Sequence, residues 1–240
     1  MYGQNGRIGL LVPSVNTVVE PEFNRMIPED INVYAARMRN TRSDVEDSKA
    51  MLQHVARAAD ELGSAHADVI AFACTASSFV EGVEGEIELR DQIERAGEAK
   101  AVTTSGSVAG ALRTLGVRRV AVATPYPDEL NVLEKQFLED EGIEVLTIAG
   151  MGIVDAFSIG KVTPQETYEF ARRVWQDDAD GMFISCTNLR TIDVLARLEA
   201  ELDVPVISSN LATCWGCLRA LGHHDAINGY GRLLSERLDP

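Results

Sequence analysis

Features that define membrane and secreted proteins are missing from this 240-residue sequence. No apolar run approaches the roughly 20 residues that a bilayer-spanning helix requires. Residues 1–7 lack the cationic stretch and apolar core that are typical of a secretion signal. There are only four cysteines, and without such a signal we expect them to be free thiols in a reducing compartment. We therefore expect a cytoplasmic protein that does not associate with membranes.

Positive charge is also scarce. Lysine and arginine total 22 against 37 aspartates and glutamates, and the formal net charge is −15. An acidic chain repels phosphate backbones, so we expect no nucleic-acid partner. The sequence has neither a GxGxxG motif nor a P-loop, so we expect no nucleotide cofactor.

Metal-binding patterns are equally weak. Cys214 and Cys217 have the spacing of a redox or zinc motif, but no second pair and no clustered histidine completes a tetrahedral site. On a helix, this spacing simply places two thiols on one face. The sequence favours a structural role for the pair, and we expect no metal ion.

What the sequence does contain is a repeat. An apolar run at residues 69–73 leads into Cys74, and a similar run at 181–185 leads into Cys186, which lies 112 residues later. The same offset relates residues 7–13 to 119–125. One offset shared by two separate places indicates a duplicated unit.

Strand patterns alternate with helical patterns along the chain. We predict strands at 8–12, 31–37, 68–73, 100–103, 119–123, 143–148, 181–185 and 204–208. Helical patterns begin near 18 and at Thr163, and cover 43–62, 84–97, 108–115, 129–141 and 211–221. Such alternation predicts an α/β fold with parallel sheets. The duplication predicts two pseudosymmetric flavodoxin-like lobes with the active site in the cleft between them. The first lobe would span 1–115, with 211–240 packing back on it, and the second would span 116–210.

Ligands of such sheets bind beyond the carboxyl ends of the strands. The turns predicted there contain Asn16, Cys74, Thr75, Ala76, Tyr126, Cys186, Thr187 and Asn188. Backbone N–H groups and a helix dipole at such turns favour a thiolate. The same N–H groups, with the hydroxyls of Thr75, Ser77 and Thr187, are suited to binding a carboxylate.

Two cysteines facing one substrate suggest two chemistries. They can remove a proton from one face of a carbon and return it to the other, or one can add to a double bond while the other moves a proton. Both routes place negative charge on an enediolate-like carboxylate that N–H groups would stabilise. Buried cysteines are common as structural residues, but their equivalent places in a repeat favour catalysis. Tyr126 is either a carboxylate donor or a rim aromatic, and Asn16 either binds a carboxylate or caps a helix.

Four segments carry a family resemblance. Residues 13–23 (PSVNTVVEPEF), 73–77 (ACTAS), 124–126 (TPY) and 185–189 (SCTNL) resemble the aspartate/glutamate racemase superfamily. The branch that looks most similar contains maleate cis-trans isomerase and arylmalonate decarboxylase, and the resemblance covers essentially the whole chain.

The resemblance implies a cofactor-independent isomerase of a small dicarboxylate. Cys74 would add as a thiolate to C2 of maleate, the adduct would rotate, and Cys186 would assist proton movement before fumarate leaves. Asn16 and Tyr126 would hold the carboxylates, helped by the N–H groups after each cysteine, at Thr75, Ala76, Thr187 and Asn188. We also expect a homo-oligomer, a dimer or tetramer, since symmetric assemblies are common.

Two departures keep alternatives open. Maleate isomerases tend to carry another pocket asparagine in the segment matching residues 152–157, where this chain has Asp155 and Ala156. The decarboxylase branch has glycine in place of Cys74 and keeps only the cysteine matching Cys186. The alternatives are a decarboxylase or amino-acid racemase that uses the same cleft, and a non-catalytic protein that binds small carboxylates.

Overall fold

The computed structural model describes residues 2–238. Met1, Asp239 and Pro240, which the predicted lobe ranges include, lie outside the described residues. The strands are β1 (Gly6–Pro13), β2 (Ile31–Met38), β3 (Val69–Phe72), β4 (Lys100–Thr103), β5 (Arg119–Thr124), β6 (Glu144–Gly150), β7 (Gly181–Ile184) and β8 (Val206–Ser208). No helix within residues 2–238 is long and apolar enough to cross a bilayer.

Helices connect these strands throughout. They are α1 (Val19–Met26), α2 (Val45–Leu52), α3 (Val55–Ser64), α4 (Thr75–Phe79), α5 (Gly82–Gly97), α6 (Thr104–Thr114), α7 (Asp128–Asp140), α8 (Ala156–Ile159), α9 (Pro164–Val174), α10 (Leu195–Leu202), α11 (Ser209–Leu221) and α12 (Arg232–Glu236).

The strands form two parallel sheets of four. Their orders are β2-β1-β3-β4 and β6-β5-β7-β8, so the second sheet repeats the first with every strand number raised by four. The central strands β3 and β7 are buried along their whole length, as expected for parallel strands covered on both faces. The predicted fold of two pseudosymmetric flavodoxin-like lobes is confirmed.

Some predicted elements were wrong in extent. The single helix predicted over 43–62 is two helices, because Gln53 and His54 donate their N–H groups to carbonyls three residues back and interrupt the ladder. Apolar spacing could not reveal this break, since Met51 and Val55 on either side of it are both buried. The helix predicted from residue 108 starts at Thr104, because the Thr103 hydroxyl caps it. Helix α10 was not predicted.

The helix start at Thr163 is confirmed. Its hydroxyl accepts the N–H of Glu166, whose carboxylate accepts the N–H of Thr163 in return. This capping box, with Pro164 at the first helical position, satisfies donors that would otherwise be unpaired.

The structure has two apolar clusters, of which one joins the lobes. One extends through both sheets and contains Val12 of β1, Val122 of β5 and Trp215 of α11. The other lies on the opposite side of the first sheet, around Met51 and Phe72. Helix α11 packs on α6, β3 and β4 of the first sheet as well as on β8 of the second. A lobe boundary between residues 115 and 116 remains a prediction.

Helices α3 and α5 approach so closely that stability should depend on Gly63. A Cβ atom at Gly63 would lie 2.5 Å from the carbonyl oxygen of Gly97, and backbone atoms cannot yield cheaply. We expect Gly63→Ala to lower the free energy of unfolding by about 2 kcal/mol, as overpacking does. Urea unfolding measures this.

Gly110 provides the matched control. A Cβ there would meet only the Trp215 ring, at 3.5 Å, which is ordinary contact. Alanine is favoured over glycine inside a helix by about 1 kcal/mol, so Gly110→Ala should leave stability unchanged or raise it. Equal losses in the two variants would contradict the proposed close packing.

Candidate active site

Residues from both lobes line one small cavity at the carboxyl ends of the strands. Eight residues predicted from the sequence line it: Asn16, Cys74, Thr75, Ala76, Tyr126, Cys186, Thr187 and Asn188. Ser77, whose hydroxyl was also expected to bind a carboxylate, is not among the lining residues, and its hydroxyl contacts the Met51 sulfur. Its volume of about 30 Å³ is room for one or two water molecules. The roles assigned to these residues remain predictions, whereas their shared location is a property of the fold.

The sheet order explains why these turns meet. In each sheet, the strand after β1 or β5 is added on one side, and the strand after β3 or β7 is added on the opposite side. The strand order therefore reverses between the two central strands. A crevice opens at such a switch point, beyond the carboxyl ends of the strands. Asn16 and Cys74 follow the first pair of strands, and Tyr126 and Cys186 follow the second, so the two crevices face each other.

Cys74 follows β3 in extended backbone conformation and precedes the short helix α4. Its thiol donates to the Ser77 hydroxyl at 3.4 Å. Burial raises the pKa of Cys74, while hydrogen bonds from the Ser77 hydroxyl and the Ser77 and Ala76 N–H groups oppose this rise. The thiol is therefore neutral at pH 7, with donors in place for the anion.

Cys186 adopts a different backbone conformation. Its φ of 94° lies in the left-handed region, which costs a residue other than glycine about 1–3 kcal/mol. The N–H of Asn188 donates to its sulfur at 3.4 Å. Burial raises the pKa of Cys186 to about 12, while hydrogen bonds from the Tyr126 hydroxyl and the Asn188 N–H oppose the rise.

The raised pKa of both thiols contradicts one expectation from the sequence. The sequence predicted that N–H groups and a helix dipole would favour thiolates at Cys74 and Cys186. The donors are present, but loss of hydration outweighs them, because a charge in a buried site loses its water shell. Each thiol can thus act as a proton carrier and becomes a nucleophile only when its proton is removed.

Asn16 caps a helix and also faces the cavity. Its Oδ1 accepts the N–H groups of Val18 and Val19, and its Nδ2 donates to the Thr187 hydroxyl at 3.0 Å. The capping role left open by the sequence is therefore present. An amide has two N–H donors, so one donor of Asn16 has no protein acceptor among residues 2–238.

The hydroxyls expected to bind a carboxylate have protein acceptors. Thr187 donates to the carbonyl of Ala73 at 3.0 Å, and Thr75 donates to the Ser209 hydroxyl at 2.8 Å. No acceptor within residues 2–238 is assigned to the backbone N–H of Thr75 or Thr187. These N–H groups, rather than the hydroxyls, are the donors available to a ligand.

Ser209 is a functional residue that the sequence did not single out. Its hydroxyl accepts the N–H of Cys186 at 2.9 Å and the hydroxyl of Thr75, so it joins the two cysteine turns. The repeat did contain a signal, since residues 208–211 match 103–106. What could not be foreseen is that α11 would bring this position between the lobes.

Glu22 is a second such residue. Its carboxylate accepts the N–H of Thr191 at 2.7 Å and the Nδ2 of Asn210 at 2.7 Å. Asn210 also donates to the carbonyl of Thr187. These contacts fix the loop after Cys186 to α1 of the other lobe.

The segment that departs from maleate isomerases lies beside the cavity. Ala156 and Ile159 line it. Asp155 is exposed, and its carboxylate accepts the hydroxyl of Ser158 at 2.5 Å. The side chains of this segment therefore offer the cavity apolar surface in place of an amide.

Two segments of different lobes meet beside the cavity. Ser43 donates its N–H to the carbonyl of Val154 at 2.8 Å, and Ala156 donates to that of Thr41 at 3.1 Å. These hydrogen bonds join segments whose residues Arg42, Ser43 and Ala156 line the cavity.

The remaining cysteines have no part in this site. Cys214 and Cys217 are fully buried, and burial raises the pKa of both thiols. Within residues 2–238, no three His, Cys, Asp or Glu side chains are grouped so that they could hold a metal ion.

Comparison with known proteins gives the family. The sequence model of the arylmalonate decarboxylase family matches residues 8–234. The chain belongs to this family. It is 32% identical to arylmalonate decarboxylase of Bordetella bronchiseptica over 232 residues, which cover 95% of this chain and 96% of the relative. It is 28% identical to maleate isomerase of Geobacillus stearothermophilus over 243 residues, with coverage of 95% and 97%.

Solved structures of this family have the same fold. A maleate isomerase from Pseudomonas putida S16, solved as a cysteine-to-alanine mutant with maleate, superposes with a TM-score of 0.93, 28% identity and coverage of 97% and 98%. A second structure is a Nocardia farcinica maleate cis-trans isomerase, a cysteine-to-serine mutant with a covalently bound succinylcysteine intermediate. It superposes with a TM-score of 0.91, 26% identity and coverage of 96% and 98%. The resemblance inferred from the sequence is confirmed.

Glu134 of α7 is a buried acid that contacts Ser185, the residue before Cys186. The hydroxyl of Ser185 donates to its Oε1 at 2.6 Å, while its Oε2 is buried without a hydrogen-bond partner among the described residues. Burial raises the pKa of Glu134 to about 8, so the carboxyl is neutral at pH 7. When charged, it raises the pKa values of Cys186 and Tyr126.

The raised pKa of Glu134 makes stability fall with pH. Between its ordinary pKa of 4.5 and about 8, the unfolded chain has released a proton that the folded chain keeps, so the folded state loses stability as pH rises. Glu134→Gln stays neutral and lacks this loss. We expect the wild type to lose about 4 kcal/mol more than this variant between about pH 5 and 8.5. Urea unfolding at the two pH values measures it, and parallel losses would contradict burial of a neutral acid.

Proposed function

We propose that this protein is a maleate cis-trans isomerase that converts maleate to fumarate through a covalent cysteine adduct. The observation that carries the proposal is a pair of cysteines, Cys74 and Cys186, in one cavity with backbone N–H groups that have no acceptor among residues 2–238. Maleate isomerases of similar length and fold support it, and one of them holds a succinylcysteine.

Cys74 is the nucleophile in this proposal. Cys74 first gives its proton to solvent water. Its thiolate sulfur then adds to C2 of maleate, the electron pair of the double bond moves to C3 and its carboxylate, and the same thiolate is regenerated when fumarate leaves. The N–H groups of Thr75 and Thr187 and the hydroxyl of Tyr126 are the donors that would stabilise the enediolate. Addition to the double bond leaves a single C2–C3 bond, which can rotate.

Cys186 is the proton carrier. Its thiol, neutral because burial raises its pKa to about 12, gives a proton to C3 and forms the succinyl adduct. After rotation, the Cys186 thiolate removes a proton from C3, the bond between C2 and the Cys74 sulfur breaks, and fumarate leaves. Tyr126 stabilises the Cys186 thiolate by its hydrogen bond.

A decarboxylase is the second candidate. It is favoured by the 32% identity to arylmalonate decarboxylase and by the family model. The isomerase is preferred because Cys74 is present. Two of the similar solved structures are arylmalonate decarboxylases that carry an introduced glycine-to-cysteine mutation.

The setting of the reaction follows from its chemistry. The thiols supply both nucleophile and proton carrier, so the proposed reaction needs no cofactor. Cys74 and Cys186 are free cysteines, as are the other two, and a reducing cytoplasm would keep them so. The proposed substrate partner is a small dicarboxylate, and a homo-oligomer of two or four chains is part of the proposal.

Proton NMR with maleate in deuterated buffer tests the function. We expect the wild type to produce the fumarate singlet, and Cys74→Ser and Cys186→Ser to lower the rate by at least about a hundredfold, since each removes a group that bonds to substrate or moves its proton. Full turnover by Cys74→Ser would overturn the covalent mechanism.

Mass spectrometry separates the two cysteines. Cys186→Ser retains the nucleophile, so we expect one maleic acid to remain attached at Cys74 in this variant. Cys74→Ser should carry no adduct. Cys217→Ser, which changes a buried thiol outside the cavity, is the control and should convert maleate at the wild-type rate. Absence of fumarate together with carbon dioxide release from an arylmalonate would support the decarboxylase.

A further inference from the structure

Three polar side chains of the first lobe line the cavity and are not explained by the mechanism. They are Asn40, which follows β2, Ser43, which precedes α2, and Ser48 within α2. They are almost completely buried, with exposed fractions of 6%, 6% and 1%. Burying a hydroxyl or amide without a partner is costly, so a cluster of three calls for an explanation.

Their hydrogen-bonding capacity is largely unused. Neither the Ser43 hydroxyl nor the Ser48 hydroxyl has a hydrogen-bond partner within residues 2–238, and both residues line the cavity. The Nδ2 of Asn40 makes one long contact, 3.5 Å to the carbonyl of Arg42. By contrast, the hydroxyls of Thr75 and Thr187 already have protein acceptors. Besides the N–H groups of Thr75 and Thr187 and one amide N–H of Asn16, the cavity therefore has a second group of side-chain donors without strong partners, at residues 40–48.

Residues 40–48 lie on the Cys74 side of the cavity. Cys74 packs in the apolar cluster that contains Met51 of α2, and the hydroxyl of Ser77 contacts the Met51 sulfur at 3.6 Å. Cys186 and Tyr126 belong to the other cluster. A ligand held by the donors around Tyr126 and Thr187 would thus extend toward Ser48.

Charge does not exclude an anion there. Of the nearby acids, Asp47 accepts the backbone N–H groups of Thr41 and Arg42. Asp44 accepts the Nε of Arg42 at 2.5 Å. Arg42 is also among the residues that line the cavity. Asp44 is paired with Arg42, whereas Asp47 accepts only backbone N–H groups, and its charge raises the pKa of Cys74. The side chains of Asn40, Ser43 and Ser48 are neutral donors.

We propose that Asn40, Ser43 and Ser48 form a second carboxylate site, which binds the carboxylate farther from the Tyr126 and Thr187 donors. The proposal rests on the proposed function, since it assumes a dicarboxylate substrate. It also accounts for the departure at Asp155 and Ala156: the amide of Asn188 beside Ala156 is already bonded to protein groups, and the first-lobe side of the cavity provides donors instead.

The test compares acids with one and two carboxylates. Succinate and propionate are titrated by calorimetry into the wild type, Ser43→Ala, Ser48→Ala and the double variant. A hydrogen bond to a charged group contributes enough that each single change should weaken succinate binding by about tenfold. Propionate binding should change less than about twofold, because its one carboxylate occupies the other site.

Ser107→Ala is the matched control. Ser107 is also a buried helical serine, but its hydroxyl donates to the carbonyl of Thr103, away from the cavity. It should bind both acids as the wild type does. Ser43→Ala lies outside the helices, so it tests the site even if Ser48→Ala perturbs α2. The proposal is overturned if the cavity variants bind succinate normally, or if they weaken both acids equally.

Turnover distinguishes this proposal from the function on which it rests. If maleate is isomerised but Ser43→Ala and Ser48→Ala leave succinate binding unchanged, the isomerase function is supported and the second carboxylate site is contradicted. If maleate is not isomerised but the serine variants bind succinate more weakly and propionate normally, the second carboxylate site is supported and the substrate is another dicarboxylate. With maleate as substrate, the double variant should raise KM more than it lowers kcat.

Discussion

The hydroxyl of Ser209 holds together the two turns on which the chemistry depends. It accepts from Cys186 of its own lobe and from Thr75 of the other, so the separation of the two cysteines is set by hydrogen bonds rather than by side-chain packing alone. This is possible only because the carboxyl ends of two parallel sheets face each other and α11 starts between them. A buried hydroxyl with two donors is rigid, and rigidity is what a two-cysteine mechanism requires.

Burial gives the site its electrostatics. The same exclusion of water that strengthens the N–H groups after Cys74 and Cys186 also penalises the thiolates that they would stabilise. Burial raises the pKa of Cys186 to about 12, which suits a group that must hold a proton until a carbanion forms beside it. Cys74 has more opposing donors, the Ser77 hydroxyl and the N–H groups of Ser77 and Ala76, which suits the group that is proposed to ionise. The proposed division of roles between the cysteines thus agrees with their local hydrogen bonds.

The sequence predicted the parts of this structure that depend on local pattern and repetition. Buried strands, the two-lobe fold and the shared location of Asn16 and Cys186 follow from apolar runs and one offset of 112 residues. Ser209, Glu134 and Ser48 could not be found in this way. Their surroundings come from tertiary packing, in which a serine or glutamate on a helix becomes buried only because another element covers it. The state of the thiols was mistaken for the same reason, since burial cannot be read from a turn.

The cavity is asymmetric although the sheets are not. Cys74 is in extended backbone, whereas Cys186 has a left-handed φ of 94°. On the first-lobe side, the cavity is lined by polar side chains around Ser48 that have no strong hydrogen-bond partner. On the second-lobe side, it is lined in part by the apolar side chain of Ala156. A symmetric cavity would suit proton exchange on either face of one carbon, as in a racemase. Unequal walls and unequal cysteines instead suit a reaction in which one sulfur bonds to carbon while the other only moves a proton, so the asymmetry itself favours the isomerase.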